Sequence, residues 1–358
     1  MKSDKVLSFS SIILSIFGLI MIYSSSYIWA EYKYNNPFKY VISQGIFLII
    51  GIILMIITSK IDYKIYKKKA NTILGICLLL LMLVLIPGIG ALRNGSRSWI
   101  SLGPIGFQPS EIAKIGLIIF SSKFLSNNDK NKKTSKNFFL PVLGVIFIFF
   151  ILIMLEPDFG TAMVIVMSLL GLIFITGSSL SIFIKLGIVG LCGIVSLVAV
   201  APYRIARILS FLNPWSDPLG SGFQIIQSLY AIGPGGILGQ GFLSSRQTHF
   251  YLPEPQTDFI FSIICEEFGF LGVIIVSSLF IIIFYRAIKI SLKQTDLFAK
   301  YLSFGLIFML IFQTLLNLSV VVGLIPVTGV TLPFISYGGS SLLISFISIG
   351  IILNISKH

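Results

Sequence analysis

Carboxylates that interrupt apolar sequence are the residues of this chain whose type and position suit chemistry best. Asp258 ends the polar run YLPEPQTD and directly precedes a long apolar segment. A carboxylate at such a boundary is partly desolvated, and desolvation raises its pKa toward the range that a general base needs. We therefore predict that Asp258 is a general base. Capping of the following helix is the alternative role for the same side chain.

A pair of opposite charges follows Pro109 and Ser110, two residues that are typical of a helix start. Glu111 and Lys114 are three positions apart, so they share one helical face and can form a salt bridge. A pair that contacts a substrate and a pair that only fixes one helix against another need the same geometry. Both interpretations are open at this point.

Asp158 and two arginines are further candidates. Asp158 stands in the tight break EPDFGT between two apolar runs, where its carboxylate either caps the next helix or faces a polar cavity. Arg204 and Arg207 lie three positions apart, so they share a helical face, and their guanidinium groups suit the oxygens of a diphosphate. Snorkelling of both arginines to the membrane interface is the competing interpretation.

Polar residues also occur deep in apolar sequence. Glu266 and Glu267 interrupt one apolar run, and we assign at least one of them to a hydrogen-bonded structural position in the interior. The segment from Pro326 to Ser340 separates two other apolar runs and has an irregular sequence. Irregular backbone at membrane depth is stable only when it is buried in protein or lines a wet cavity. Its amides and hydroxyls can receive an anion.

The composition requires that membrane helices position these residues. Of the 358 residues, 56% are hydrophobic and 11% are charged, and the mean hydropathy is +0.98. A soluble domain has about 25% charged residues, so a soluble globular enzyme is excluded. We predict an all-α, polytopic membrane protein that forms a single domain over residues 1–358. Its ten transmembrane helices are expected at residues 6–25, 41–59, 71–88, 110–125, 138–155, 161–176, 182–201, 259–285, 301–324 and 340–355.

The net charge of +13 is unevenly distributed along the chain. Most Lys and Arg residues fall in the termini and in the even-numbered connections, which are therefore predicted to be cytoplasmic. We assign the basic runs to topology and to contact with anionic membrane lipids rather than to nucleic acid. Most acidic residues fall on the opposite, outer side. The chemistry is expected at that extracytoplasmic face.

The longest connection spans about residues 202–258, between the seventh and eighth helices, and is predicted to be an extracytoplasmic loop. Residues 224–232 within it can form a short interfacial helix, and long ordered loops tend to be functional.

The three cysteines lie in apolar runs and are interpreted as packing residues. The sequence contains no Walker loop, HExxH motif, nucleophile elbow or zinc-ligand spacing.

Five ordered motifs carry a resemblance to a known family. They are NGSRSW with FQPSEIAK, EPDFGTA, NPWSDPLGSGFQIIQSLYAIGPGG, YLPEPQTDFIF with EEFGFLG, and PVTGVTLPFISYGGSS. Together they resemble the SEDS family of cell-shape, division and sporulation proteins (FtsW, RodA, SpoVE) over about residues 23–341. The run YLPEPQTDF and the short termini are most similar to the FtsW and SpoVE branch.

The resemblance implies ten membrane helices and a peptidoglycan glycosyltransferase of the bacterial cytoplasmic membrane. Its substrate would be lipid II, a disaccharide-pentapeptide on undecaprenyl diphosphate, and its transpeptidase partner would be a class B penicillin-binding protein. The essential aspartate of the family matches Asp258, and the aspartate of its PD motif matches Asp158. The Glu and Lys pair of the family matches Glu111 and Lys114.

The chain departs from the family pattern beside Trp99. Many members have Arg directly before this Trp, whereas this chain has Ser98 there and Arg97 one position earlier.

In addition to the catalytic Asp258, we predict that a set of outer-side residues binds the substrate. The set is Arg97, Trp99, Gln108, Glu111, Lys114, Asp158, Arg204, Arg207, Gln224, Ser228, Arg246, Glu254, Thr257, Thr328, Ser336, Tyr337 and Gly338.

These residues fit inverting glycosyl transfer with a carboxylate base. The leaving diphosphate gains negative charge, for which Lys114, Arg204, Arg207 and Arg246 are the candidate cations. No DxD metal motif is present, so Mg²⁺ or another divalent cation is optional. A lipid II flippase is one alternative function, because ten spans, intramembrane charges and an outward cavity also suit a transporter. A scaffold that only recruits the penicillin-binding protein is the other.

Overall fold

The structure, a computed structural model, describes residues 4–93, 96–102, 105–128, 136–199, 205, 211–220 and 222–358. Its helices are, in chain order, α1 (Lys5–Tyr34), α2 (Lys39–Lys60), α3 (Tyr63–Leu85), α4 (Pro109–Asn127), α5 (Lys136–Leu155), α6 (Phe159–Ile175), α7 (Leu180–Ala199), α8 (Phe223–Ile232), α9 (Ile260–Leu292), α10 (Leu297–Val321) and α11 (Gly339–Ile355). Each predicted apolar run overlaps a helix of its own. The predicted helical architecture is confirmed at this level.

Several of the described helices suit a bilayer. By length and composition, α1, α2, α3, α9 and α10 are long and apolar enough to cross a membrane. Three shorter apolar helices occupy Phe139–Leu155, Phe159–Ile175 and Gly339–Ile355. The fold is therefore that of a multi-pass membrane protein, and the count of ten crossings stays a prediction.

Acidic residues mark the starts of three long helices. Asp4, Asp62 and Asp296 directly precede α1, α3 and α10, and each carboxylate accepts a hydrogen bond from a backbone N–H of the first turn. The first N–H groups of a helix have no partner within the helix, so a short acidic side chain at this position stabilises the start.

The helix α10 lies at the centre of the packing. It packs against α4, α6, α9 and α11, and 61% of its apolar stretch is buried, compared with 22% for α2 and for α3. Gln313, Thr314 and Asn317 are polar residues of α10 that are nevertheless buried. Buried polar groups are stable only when they find hydrogen-bond partners, so these three residues indicate a polar region inside the bundle.

A three-stranded antiparallel sheet follows α3 and corrects the all-α prediction. Its strands, in spatial order, are β1 (Gly90–Arg93), β2 (Ser96–Leu102) and β3 (Ile105–Phe107). Trp99 of β2 pairs with Ala91 of β1. Side chains alternate along a strand, so Ser96 and Ser98 share one face of β2, and Arg97 and Trp99 share the other. Because both faces carry polar residues, the segment lacks the apolar alternation by which strands are recognised.

The helix α9 is broken at Gly269. Its φ of 58° and ψ of −152° belong to a region that only glycine adopts readily. A Cβ at this position would lie 2.5 Å from the backbone nitrogen of Gly239 in the preceding loop. The Phe270 N–H, just after the break, donates a hydrogen bond of 2.9 Å to the carbonyl of Gly236 in the same loop. The loop thus replaces helical hydrogen bonds that the break removes.

The predicted short helix in the long connection is confirmed as α8. Its residues Ile225, Ile226, Ser228 and Ala231 are buried, and the helix packs against α9 and α10. The chain then runs through a loop to Asp258 at the start of α9. This loop brings the predicted general base against the centre of the bundle.

Candidate active site

Asp258 is half-buried against the polar loop, the name we give to residues 325–338. Its Oδ2 lies 3.8 Å from the position that a Cβ would occupy at Gly329. Asn317 of α10 fixes this arrangement, because its Nδ2 donates to the carbonyls of Asp258, at 2.8 Å, and of Val330, at 2.7 Å. Phe259 directly precedes α9 and makes no side-chain cap hydrogen bond. Within the described ranges, no backbone N–H of α9 donates to the carboxylate of Asp258.

The environment of Asp258 makes it more basic than an ordinary carboxylate. Burial, followed by the negative charges of Glu254 and Asp158, raises the pKa of Asp258 to about 6. Desolvation and nearby carboxylates both disfavour the ionised form. A carboxyl with this pKa is still ionised at neutral pH, and it binds a proton more tightly than an unperturbed aspartate.

Asp158 takes the capping role, one of the two roles that the sequence left open, and also contacts a polar side chain. Its Oδ1 accepts a hydrogen bond from the Thr161 N–H at 3.0 Å, which caps α6. Its Oδ2 accepts from Nε2 of Gln108 at 2.8 Å. Burial raises the pKa of Asp158, and the hydrogen bonds from Thr161 oppose that rise. The capping carboxylate therefore also faces the polar cluster around Asp258.

Glu111 and Lys114 form the predicted salt bridge, and both are buried. The Lys114 Nζ lies 2.8 Å from Oε1 of Glu111 and donates to Oε1 of Gln313, also at 2.8 Å. Oε2 of Glu111 is buried without a hydrogen-bond partner in the part of the chain that the structure describes. The pair thus consists of a buried ammonium group and a carboxylate of which only one oxygen has a hydrogen-bond partner among the described residues.

Gln313 connects this ion pair to the polar loop. Its Nε2 donates to the Thr331 carbonyl at 3.0 Å and to Oγ of Ser341 at 3.2 Å. Sequence reasoning missed both Gln313 and Asn317. Their signal was present, because they are polar residues four positions apart in an apolar run and so occupy one helical face.

The polar loop is held by hydrogen bonds from two other parts of the chain. Gln44 of α2 donates through Nε2 to the Ser336 carbonyl at 3.1 Å and accepts from the Gly338 N–H at 3.2 Å. The Tyr337 N–H donates to the Gln256 carbonyl at 2.8 Å, two residues before Asp258. Gln44 is a further residue that sequence reasoning missed.

Two polar side chains near Asp258 have buried atoms without a partner. Oγ1 of Thr328 and Oε1 of Gln256 make no hydrogen bond within the described ranges. Thr257 Oγ1 donates to the Glu254 carbonyl at 2.7 Å, and the Glu254 side chain is exposed. Leaving a buried acceptor unpaired is unfavourable. The unpaired oxygens of Thr328 and Gln256 are therefore suited to accept hydrogen bonds from a bound molecule.

The sheet brings β2 against the break between α5 and α6. Ser98 Oγ donates to the Glu156 carbonyl at 3.2 Å, and Ser96 Oγ donates to the same carbonyl. Burial and the charge of Asp158 raise the pKa of Glu156 to about 8, so this side chain is neutral at pH 7. Arg97 carries a buried Nε without a partner among the described residues.

The other predicted residues lie farther from the cluster or beyond the described chain. Arg204 and Arg207 are outside the described residues. The exposed Arg246 donates its backbone N–H to Oε1 of Glu266 at 2.8 Å. Gln224 is half-buried on α8. The buried Ser228 donates its hydroxyl to the Val321 carbonyl at 2.7 Å.

No three His, Cys, Asp or Glu side chains within the described ranges form a group that could hold a metal ion. The chemistry that the described residues offer is that of a carboxylate base of raised pKa, a buried ammonium group and unpaired hydrogen-bond acceptors.

Comparison with known proteins identifies the family. The sequence matches the cell cycle protein family of FtsW, RodA and SpoVE over residues 4–358. It is 49% identical over 355 residues to stage V sporulation protein E of Bacillus subtilis, covering 99% of this chain and 97% of the relative. It is 38% identical over 355 residues to a probable peptidoglycan glycosyltransferase FtsW of Geobacter sp. strain M18, with the same coverage of both chains.

Solved structures agree with the sequence relatives. A chain of a peptidoglycan synthase complex that coordinates polymerization and crosslinking superposes with a TM-score of 0.79 at 32% identity, over 100% of this chain and 98% of that chain. The rod shape determining protein RodA of Thermus thermophilus superposes with a TM-score of 0.71 at 26% identity, over 100% and 97%. The chain therefore belongs to the SEDS family of FtsW, RodA and SpoVE proteins, within its FtsW and SpoVE branch.

Proposed function

We propose that this protein polymerises lipid II into peptidoglycan glycan strands, with Asp258 as the general base. The observation that carries the proposal is the position of the Asp258 carboxyl. It is half-buried between a loop and the central helix, its pKa is raised to about 6, and the buried ammonium of Lys114 belongs to the same polar cluster. The relatives named as peptidoglycan glycosyltransferases support the same reaction class.

The reaction needs one proton acceptor and stabilisation of one leaving group. Asp258 takes the proton from a hydroxyl of the acceptor N-acetylglucosamine, and the oxygen attacks the anomeric carbon of the donor N-acetylmuramic acid. The bond from that carbon to the diphosphate breaks, the anomeric carbon is inverted, and undecaprenyl diphosphate leaves with the bonding electron pair. Asp258 then releases the proton to solvent. Lys114 stabilises the charge that develops on the diphosphate.

The unpaired acceptors beside Asp258 suit the binding of sugar hydroxyls. Thr328 and Gln256 each present a buried oxygen without a partner among the described residues, and the polar loop that carries Thr328 is fixed by Gln44 and Gln313. A fixed acceptor holds a hydroxyl in one orientation, which lowers the entropy cost of reaching the reactive geometry. We therefore keep Thr328, which the sequence already predicted, in the substrate site and add Gln256 to it.

The proposed reaction also requires a particular membrane topology and a transpeptidase partner. Ten crossings with both termini in the cytoplasm place Asp258 at the extracytoplasmic face, where the sugar head of a polyprenyl substrate reacts while its tail stays in the bilayer. A class B penicillin-binding protein is the transpeptidase partner that we propose. The structural similarity to a chain of a peptidoglycan synthase complex supports this pairing.

Reconstitution separates polymerisation from the two alternative functions. Purified protein in vesicles is mixed with lipid II and with a class B penicillin-binding protein whose transpeptidase is blocked. We expect long uncrosslinked glycan, and none from the penicillin-binding protein alone. Movement of labelled lipid II between leaflets without polymer would identify a flippase. Binding of the partner with neither polymer nor lipid movement would identify a scaffold.

A further inference from the structure

A groove lined mainly by aromatic rings lies at the C-terminal end of α1, apart from the residues that surround Asp258. Its walls are formed by Tyr23, Tyr27, Ile28, Glu31, Tyr32, Pro37 and Phe250. Four of these seven side chains are aromatic, and one is a carboxylate. No residue of the proposed reaction belongs to this groove.

Two rings of the groove are exposed, and one of them, Phe250, stands on strained backbone. Tyr32 is 75% exposed and Phe250 is 51% exposed, and the two rings meet edge to face at 5.3 Å. Trp29 supports Phe250 from another side, at 5.6 Å. Phe250 has a φ of 66°, which is strained for a bulky residue. A bulky ring that is half exposed on strained backbone is available to contact a bound molecule.

The segments that line the groove are linked to the proposed active site along the chain and by ring contacts. Phe250 stands in the same loop as Asp258, eight residues earlier. On α2, the ring of Tyr40 contacts Tyr34 of α1 at 6.0 Å and Tyr337 of the polar loop at 5.0 Å. Aromatic contacts therefore connect the end of α1 to the loop that packs against Asp258.

The lining fits pyranose rings better than it fits a lipid chain. The faces of aromatic rings pack against the C–H faces of sugars, and a carboxylate such as Glu31 accepts hydrogen bonds from sugar hydroxyls. A polyprenyl tail needs no carboxylate, and Tyr and Trp are typical of the membrane–water interface rather than of the hydrocarbon core. We infer that the groove is a saccharide subsite, which, if the proposed polymerase function holds, retains the glycan strand between successive additions.

The length of the glycan tests this inference. We compare wild type, Tyr32→Ala and Phe250→Ala after each has consumed the same amount of lipid II. Because a lost aromatic contact weakens retention of the strand, each variant should shorten the mean glycan length at least about twofold. Tyr32→Trp, which keeps an aromatic face, should preserve the length.

A matched control is available at another exposed tyrosine. Tyr285 of α9 is 59% exposed and lies outside the groove, so Tyr285→Ala should give wild-type glycan length. Unchanged length in both groove variants would overturn the inference while leaving the polymerase function intact. Loss of penicillin-binding protein capture with unchanged length would assign the surface to the partner instead, and would also overturn it.

A binding measurement keeps the inference testable even if no polymer forms. An N-acetylglucosamine tetramer added to the purified protein should change the tryptophan fluorescence of wild type. The change should be absent in Trp29→Phe, because Trp29 contacts Phe250, and it should weaken at least about twofold in affinity in Tyr32→Ala. An equal response of Trp29→Phe and wild type, or no response at all, would contradict a saccharide subsite.

Discussion

The basicity of Asp258 arises from its surroundings. Burial and, to a smaller extent, the carboxylates of Glu254 and Asp158 together raise its pKa to about 6. Lys114, the buried cation of the same cluster, is already paired with Glu111 at 2.8 Å. The site thus combines a carboxylate of raised pKa with a buried ammonium group that is paired with a second carboxylate.

The raised pKa of Asp258 predicts how the reaction depends on pH. The carboxyl must be ionised to accept a proton, so the polymerisation rate should rise as pH increases through about 6. Between pH 5 and pH 7 the rise should be about tenfold, which is the ratio of the ionised fractions. The measurement is the initial rate of glycan synthesis by purified protein against pH.

The charge of Glu254 provides a control for the dependence of the polymerisation rate on pH. Glu254→Gln removes a negative charge that disfavours ionised Asp258, so the midpoint of the profile should move to lower pH. A profile that stays flat from pH 5 to pH 7, or a midpoint that Glu254→Gln leaves in place, would contradict the assignment of Asp258.

The buried ion pair predicts different responses of stability and activity. Lys114→Met leaves Glu111 as an unpaired buried carboxylate and should destabilise the protein by about 3–5 kcal/mol. Adding Glu111→Gln removes that charge, so the double variant should recover most of the thermal stability, measured by unfolding in detergent. Polymerisation should stay lost in the double variant, because the ammonium group that we propose to stabilise the leaving diphosphate is absent. Recovered polymerisation would show that the pair is purely structural.

The sequence predicted charged residues better than it predicted neutral polar ones. Asp258 and the Glu111 and Lys114 pair stand out in apolar sequence, and the structure places them around one cluster. Gln44, Gln313 and Asn317 were missed, although they hold the polar loop in place. A single amide in an apolar helix is compatible with many positions, and only the folded chain shows which partners it reaches.

At the scale of secondary structure, two irregular segments shape the site. The polar loop lies against Asp258, and the break in α9 comes about three helical turns after Asp258, at Gly269. Glu266, just before the break, accepts hydrogen bonds from Oγ of Ser245 at 2.5 Å and from the Arg246 N–H at 2.8 Å. Glu267 accepts from the hydroxyl of Ser24 in α1. Glu266 therefore attaches the loop before Asp258 to α9, and Glu267 joins α9 to α1, as the structural assignment from sequence expected.

The broken helix predicts a strict requirement for glycine. Gly269→Ala places a Cβ in a backbone conformation that alanine rarely adopts and within 2.5 Å of the Gly239 nitrogen. We expect a loss of at least about 2 kcal/mol in the free energy of unfolding, seen as a lower melting temperature in detergent.

A second glycine gives the matched control. Gly144 lies within α5 with nothing within 4 Å of its Cβ position, and Gly144→Ala should leave stability unchanged or raise it, because alanine favours a helix. If Gly269→Ala had the same melting temperature as Gly144→Ala, this would contradict the backbone break at Gly269 in α9.

Apolar periodicity located the long helices but not the sheet. Runs such as residues 41–59 and 301–324 coincide closely with α2 and α10, since burial in lipid or in the bundle demands continuous apolar sequence. The strands at residues 90–107 lie outside such runs. Their position is set by the contact of β2 with the Glu156 carbonyl, which no local pattern contains.

For the whole molecule, the distribution of charge predicts one orientation in the membrane. The end of α2 and the lysine-rich start of α3 should be cytoplasmic, and the loop before Asp258 should face outward. In a Cys192→Ser background, Ser244→Cys should react with a membrane-impermeant maleimide in intact cells, whereas Lys64→Cys should react only after lysis. The reverse pattern would place Asp258 on the wrong side for an extracytoplasmic polymerase.

The most direct test of the account replaces one oxygen of Asp258. Asp258→Asn keeps the size of the side chain and removes its ability to take a proton. Glycan synthesis from lipid II should fall at least about 100-fold, while melting temperature and partner binding stay unchanged. Asp62→Asn makes the same chemical change at the cap of α3, where asparagine also caps well, and should polymerise at the wild-type rate. Full-speed synthesis by Asp258→Asn would contradict the proposed mechanism.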